Sequence, residues 1–164
     1  MEKPMILAVC GKKNSGKTTL ITRLVPELKS RGYKVAVIKH DGHDFTCDVP
    51  GTDSYKFSQT GAYGIAVFSE HRMFIQRIGT GETEKDLIAM FPEADIILLE
   101  GFKDYPYPKI EIVRKGISEA PVSNPENRIA IVTDHSPDTF DETVLDINDI
   151  KGIAEFITMG DSPR

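Results

Sequence analysis

Short continuous apolar runs alternate along the chain with segments in which leucines recur at helical spacing. Residues 5–10 (MILAVC), 35–39 (VAVIK), 96–100 (IILLE) and 129–133 (IAIVT) carry almost no polar interruption and are bounded by Gly, Asp or His. Runs of this kind suit strands that are covered on both faces. Between the first two, Leu20, Leu24 and Leu28 mark one face of a helix over 17–31, and Gly32 stands where such a helix would stop. The result is a βαβ unit. Further helices are expected at 53–61, 82–91 and 148–158. GIAVFS and RMFIQRI read as two strands forming a hairpin over about 64–78, and KIEIVR (109–114) alternates enough to be another strand. Residues 120–127 read as a loop from their prolines and asparagines, and 160–164 as a frayed tail. These elements predict an α/β fold, a mainly parallel sheet with helices on both faces.

Composition narrows the possibilities. A chain of 164 residues with 40% hydrophobic content can bury one good core, so 1–164 is expected to be a single domain. A net charge of −5 offers no general attraction to nucleic acid or to an anionic membrane, so any anion site must be built locally. The first apolar run begins close to Met1, with no basic leader before it, and no run is long enough to span a bilayer. Cys10 and Cys47 form neither a disulfide framework nor a zinc pattern. A reduced, cytoplasmic protein is the simple expectation.

Residues 11–18 (GKKNSGKT) match GxxxxGK[ST] with a buried strand before them and a helix after them, which is the context this phosphate-binding pattern requires. The fold expected is therefore P-loop NTPase-like. Gly11, Asn14, Ser15 and Gly16 would turn successive N–H groups toward a phosphate, with Gly16 the most constrained position. Lys17 would reach the β- and γ-phosphates, Thr18 would place its hydroxyl on Mg²⁺, and Thr19 would meet the α-phosphate or cap the helix. Lys12 and Lys13 read as solvated charge.

Mg²⁺ needs a second protein group, and Glu100 stands at the end of an apolar strand where a Walker B acid belongs. Gly101 then lets the backbone turn beside the γ-phosphate, and Lys17 and Glu100 are the residues on which any phosphoryl chemistry would rest. Asp41 is a second metal candidate, on the expectation that the second strand ends beside the first. Asp95, at the opposite end of its strand, reads as structural. The stretch KHDGHDFTCDVPGTDS (39–54) holds His40, His43 and several Asp without a diagnostic metal spacing. It could sense a γ-phosphate or bind a second polar ligand, or it could be a solvated loop in which Asp53 and Ser54 cap a helix. Asp134 could accept the two guanine donors as the Asp of NKxD does, although NK is missing, or could simply close a strand. The phosphate loop itself would accept ATP as readily as GTP.

Taken together, GKKNSGKTTL, VIKHDGHDF, DVPGTDSYKFSQTGA, ILLEGFKDYPYPKIEIVR and IAIVTD resemble the molybdopterin-guanine dinucleotide biosynthesis protein B (MobB) family of P-loop GTP-binding adapters. The resemblance covers most of the chain, and EGFK followed by PKIE is more specific than the phosphate loop. It implies a cytoplasmic homodimer that binds GTP with Mg²⁺, hydrolyses it weakly, and assists the partner enzyme that joins GMP to molybdopterin, with the pterin a further candidate ligand. On this likeness His40, His43, Asp48, Gly51, Asp53 and Ser54 line a pocket beside the phosphates, and Phe102, Lys103, Pro108 and Lys109 shape its other wall. The competing reading is a small-molecule kinase that moves the γ-phosphate to a hydroxyl oriented by Asp41 or His43. Against a fast kinase, Arg72, Arg77, Arg114 and Arg128 are scattered and form no arginine-rich lid.

Overall fold

A computed structural model describes residues 4–43, 45–79 and 81–159; the tail expected at 160–164 lies outside them. The chain divides into two compact units, one made of residues up to His40 together with those from Leu87 onward, the other of Asp41–Asp86.

The larger unit is built on six strands: β1 (Met5–Gly11), β2 (Val35–Lys39), β5 (Ile96–Glu100), β6 (Lys109–Val113), β7 (Arg128–Thr133) and β8 (Val144–Asp146). All are parallel, in the order β2-β5-β1-β6-β7-β8. The apolar runs are continuous because successive residues serve opposite faces. Leu7, Val9, Ile96, Leu98, Ile110 and Ile112 join one core, which α1 (Lys17–Ser30) and α4 (Ile150–Ile157) cover. Ala8, Ile97 and Leu99 join a second core, completed by Phe102, Tyr107 and Leu87 and Ile88 of α3 (Glu84–Ala89). The mainly parallel α/β expectation holds.

The helix over α1 ends as Gly32 foretold. Gly32 has φ 94°, its N–H reaches Lys29 O at 3.0 Å, and Tyr33 N–H reaches Leu28 O at 3.2 Å, a pairing that satisfies carbonyls the helix would otherwise strand. Pro26 sits inside α1 on its exposed side, where the carbonyl deprived of a donor can meet water. Asp149 caps α4 by accepting from Gly152 N at 2.9 Å.

Two topological details differ from expectation. Strand two does not end beside strand one, because β5 lies between them and leaves β2 at the sheet edge. β8, only three residues long, was too short to register as an apolar run.

The smaller unit holds α2 (Asp53–Ser58) and the expected antiparallel hairpin of β3 (Gly64–Phe68) and β4 (Met73–Arg77). Phe68, Met73 and Ile75 of this ribbon are 81%, 73% and 59% exposed.

Candidate functional site: a phosphate loop at the carboxyl edge of the sheet

The loop from Gly11 to Gly16 joins the central strand β1 to α1. Its turn uses three positive φ angles, at Gly11 (142°), Asn14 (63°) and Gly16 (97°), and Ser15 N–H closes it on Lys12 O at 3.2 Å. Gly11, rather than Gly16, is the more constrained of the two. A Cβ on Gly11 would lie 2.6 Å from Ile112 O, because β6 pairs directly against it, whereas one on Gly16 would meet only Arg114 Nη1 at 3.4 Å. Gly16 is also the N-cap of α1, so Thr19 lies inside the helix and does not cap it.

Among the described residues no side chain caps α1, and its first turn carries no acid. The first N–H groups of a helix lack intrahelical acceptors, and their positive end favours an anion. Ser15 is fully buried, and its hydroxyl has no partner among the described residues. Lys17 Nζ lies along the same loop, donating to Gly11 O at 3.2 Å and Lys12 O at 3.0 Å. Lys12 and Lys13 are exposed.

β5 neighbours β1, so Glu100 emerges at the mouth of this loop. Thr18 Oγ1 donates to Glu100 Oε1 at 3.0 Å, which brings together the hydroxyl and carboxylate that a hard divalent cation prefers. Among the described residues no group of three or more His, Cys, Asp or Glu gathers into a metal cage, so a cation here would keep water and phosphate oxygens in its shell. Gly101 turns the chain with φ 98° while its N–H reaches Val9 O at 2.9 Å, and Phe102 follows at φ 52°.

From Gly101 the chain crosses back over β1 to β6 without a helix. Phe102 is buried in the second core and meets the rings of His40 and Tyr105 edge-on, at 5.8 Å and 5.1 Å. Lys109 is 0% exposed, and its ammonium donates to Lys103 O at 2.8 Å and Tyr105 O at 2.6 Å. Those contacts replace the carbonyl partners a helix would have supplied. Pro108 O accepts from Ala8 N at 2.9 Å, and the Lys103 side chain is exposed. Asp95, as expected, is structural: its Oδ2 accepts from Lys34 N at 2.6 Å.

A pocket of about 100 Å³ adjoins the loop, lined among others by Gly16, Thr19, Leu20, Arg114, Asp134 and Asn148. Asp134 is doubly held there. Oδ1 accepts from Lys115 N at 2.8 Å and Oδ2 from Arg114 Nε at 3.1 Å. The Lys115 N–H, and then the Arg114 guanidinium, keep its carboxyl below the usual range. Sequence reasoning counted Arg114 among scattered arginines. Its place at the end of β6, parallel to β7, was the signal that could have found it.

The remaining candidates, Asp41, His43, Asp48, Gly51 and Asp53, belong to the smaller unit. Asp41 follows an edge strand, not one beside β1, so the reason for choosing it as a metal ligand is gone. His43 and Gly51 are exposed. The cap of α2 is Thr52, which accepts from Tyr55 N; Asp53 instead pairs with Lys56 at 3.1 Å. Asp48 Oδ1 organises the same turn, accepting from Val49 N, Thr52 Oγ1 and Ser54 Oγ at 2.8, 3.3 and 3.2 Å.

The sequence and the fold both match known proteins. Residues 6–134 match the family described as molybdopterin guanine dinucleotide synthesis protein B (MobB). The chain is 36% identical over 159 residues to the molybdopterin-guanine dinucleotide biosynthesis adapter protein of Escherichia coli, covering 93% of this chain and 90% of that one. It is 35% identical over 155 residues to the adapter of the same name in Haemophilus influenzae, covering 93% and 86%. Its fold superposes on the crystal structure of Bacillus subtilis MobB with a TM-score of 0.74 at 26% identity, over 94% of this chain and 96% of that one.

Proposed function

The chain belongs to the MobB family, the adapter proteins of molybdopterin guanine dinucleotide biosynthesis, and we propose that it serves there as a GTP-binding adapter assisting the partner enzyme that attaches GMP to molybdopterin. The observation that carries this reading is the Thr18–Glu100 contact at 3.0 Å beside a loop whose N–H groups face no capping side chain. In this reading Gly11, Asn14, Ser15, Gly16 and Thr19 wrap the phosphates and Lys17 Nζ moves from loop carbonyls to the β- and γ-phosphate oxygens. Thr18 and Glu100 would hold Mg²⁺, directly or through water, and bound there it would neutralise charge on those oxygens. Gly101 turns beside the γ-phosphate, so nucleotide state is passed to the segment clamped by Lys109.

Slow turnover is expected, because Arg77 and Arg128 are held by carboxylates and Arg114 is tied through its Nε. Arg128 pairs with Glu111 and Glu142, Arg77 with Glu82, and Arg114 with Asp134. No helix among the described residues is long and apolar enough to cross a membrane; a cytoplasmic location is proposed from the biosynthetic role named for the relatives. A second copy of the chain is the proposed partner of the β3–β4 ribbon. A lone two-stranded ribbon is marginal in water, and exposed Phe68 and Met73 mark a surface that needs covering. His40 and Lys103 of the larger unit, and separately His43, Asp48, Gly51 and Asp53 of the smaller one, remain proposed ligand residues on the family resemblance, with molybdopterin as a candidate ligand.

Calorimetry with GTP and Mg²⁺ tests the core of this proposal; no binding heat defeats it. A single-turnover assay with γ-labelled GTP and added pterin or small alcohol separates adapter from kinase, since label on the acceptor overturns the adapter reading. Retention of a molybdenum-cofactor nucleotidyltransferase only with a non-hydrolysable GTP analogue is the positive result.

A further inference from the structure

The pocket beside the phosphate loop holds a donor that the linear pattern lacks. Asp134 has no Asn-Lys pair before it in the sequence, and both its oxygens already accept N–H groups of the protein. The neighbouring strand supplies what is missing. β6 and β7 run parallel and side by side, so Arg114 and Asp134, each just beyond its strand, emerge at one edge. Asp134 grips the guanidinium through Nε, which leaves the Nη groups as donors, and Nη1 stands 3.4 Å from the point a Cβ on Gly16 would occupy. The guanidinium therefore borders both the pocket and the N-cap of α1.

We propose that Arg114 is the residue that selects guanine, donating to the O6/N7 edge of the base, and that Asp134 is a positioning residue that orients it. This rests on the nucleotide reading above and adds the base to it. Guanine presents two acceptors on that edge, whereas adenine presents N7 beside an N6 amino donor. A guanidinium has donors only, so it matches the first and opposes the second. The pocket of about 100 Å³ lies close to the α1 terminus, where a triphosphate held by the loop would begin. Discrimination of this kind is about 5- to 150-fold per well-made bidentate contact.

The test measures Kd of the full chain, with Mg²⁺, for GTP, ATP and 2-aminopurine riboside triphosphate, which lacks O6. Wild type is expected to prefer GTP over both others by a factor in that range. Arg114→Met should bring the three within about twofold, mainly by weakening GTP while ATP stays near its wild-type value, and Arg114→Lys should restore part of the preference. Asp134→Asn should lower the preference less than Arg114→Met does. A GTP:ATP ratio in Arg114→Met equal to that of wild type, or an equal loss for all three ligands as a purely structural role would give, overturns the inference. Wild type that binds GTP and ATP alike overturns base selection and leaves the phosphate site standing, whereas wild type that binds neither brings down the nucleotide reading itself.

Discussion

Gly11→Ala puts the tightest point of the phosphate loop under load. Gly11 ends β1 at φ 142°, and an added Cβ would fall 2.6 Å from Ile112 O and 2.8 Å from Ser15 Oγ. The first is backbone held in register by the β1–β6 pairing; the second belongs to a side chain that is 0% exposed. Neither can step aside without moving a strand or the loop. Overpacking at a filled site costs about 1–3 kcal/mol, and a side chain at such a φ adds about 1–2 kcal/mol. The combined loss is about 2–5 kcal/mol, or a fall in Tm of roughly 5–20 °C for a chain of this size. Gly42→Ala is the control, because nothing lies within 4 Å of its Cβ position and its φ is not in the left-handed range. Urea unfolding of the three proteins, with slopes compared, gives the stability change, and titration with Mg²⁺ and GTP reports the loop. Gly11→Ala should unfold earlier and bind more weakly, while Gly42→Ala stays within about 0.5 kcal/mol of wild type. A Gly11→Ala protein with wild-type midpoint and Kd refutes the steric account.

Glu100→Gln keeps the shape of the acid but not its charge, so the Mg²⁺ requirement for nucleotide binding should shift upward by roughly 10- to 100-fold, read from GTP titrations at graded Mg²⁺; an unchanged midpoint removes Glu100 from the metal. The carboxyls of Glu142, beside Arg128, and Asp134, beside Lys115 N–H and Arg114, are both held below their ordinary range. Their contribution to stability is thus complete above about pH 4.5 and is lost as pH falls through the depressed values. Thermal melts from pH 6 to 2.5 should show this loss, with a shallower decline in Glu142→Gln; equal slopes for the two proteins contradict it. Burial, and next the charge of Glu111, push the Cys10 thiol up to about 11, whereas Cys47 is exposed. An aromatic disulfide reagent at pH 8 should modify Cys47 in the native protein and reach Cys10 only after denaturation, and rapid reaction of both would contradict that burial.

What could be read from the chain was whatever lies close together along it. The phosphate loop is contiguous, and the apolar runs of β1 and β5 reveal burial on both faces directly. KIEIVR was harder, because its alternation suggests a strand wet on one side. In fact Lys109 and Glu111 are 0% and 1% exposed, and their charge is met by loop carbonyls in one case and by Ser123, Val122 N–H and Arg128 in the other. Hydropathy cannot see such compensation, since the partners come from elsewhere in the sequence. Strand order was equally hidden, and with it went the argument for Asp41 and the importance of Arg114. The cap of α2 slipped by one residue because Thr52, Asp53 and Ser54 are all competent caps, and only backbone geometry chooses Thr52.

The helix-free crossing from β5 to β6 leaves its mark on how the protein can be altered. Two carbonyls, three and five residues past Glu100, converge on a single ammonium, so the length of that bridge is fixed by a side chain rather than by repeating structure. Adding a residue there would slide one acceptor out of reach and strand a charge in the interior. A label or a grafted peptide is better placed at 137–139, a short turn whose three residues are exposed.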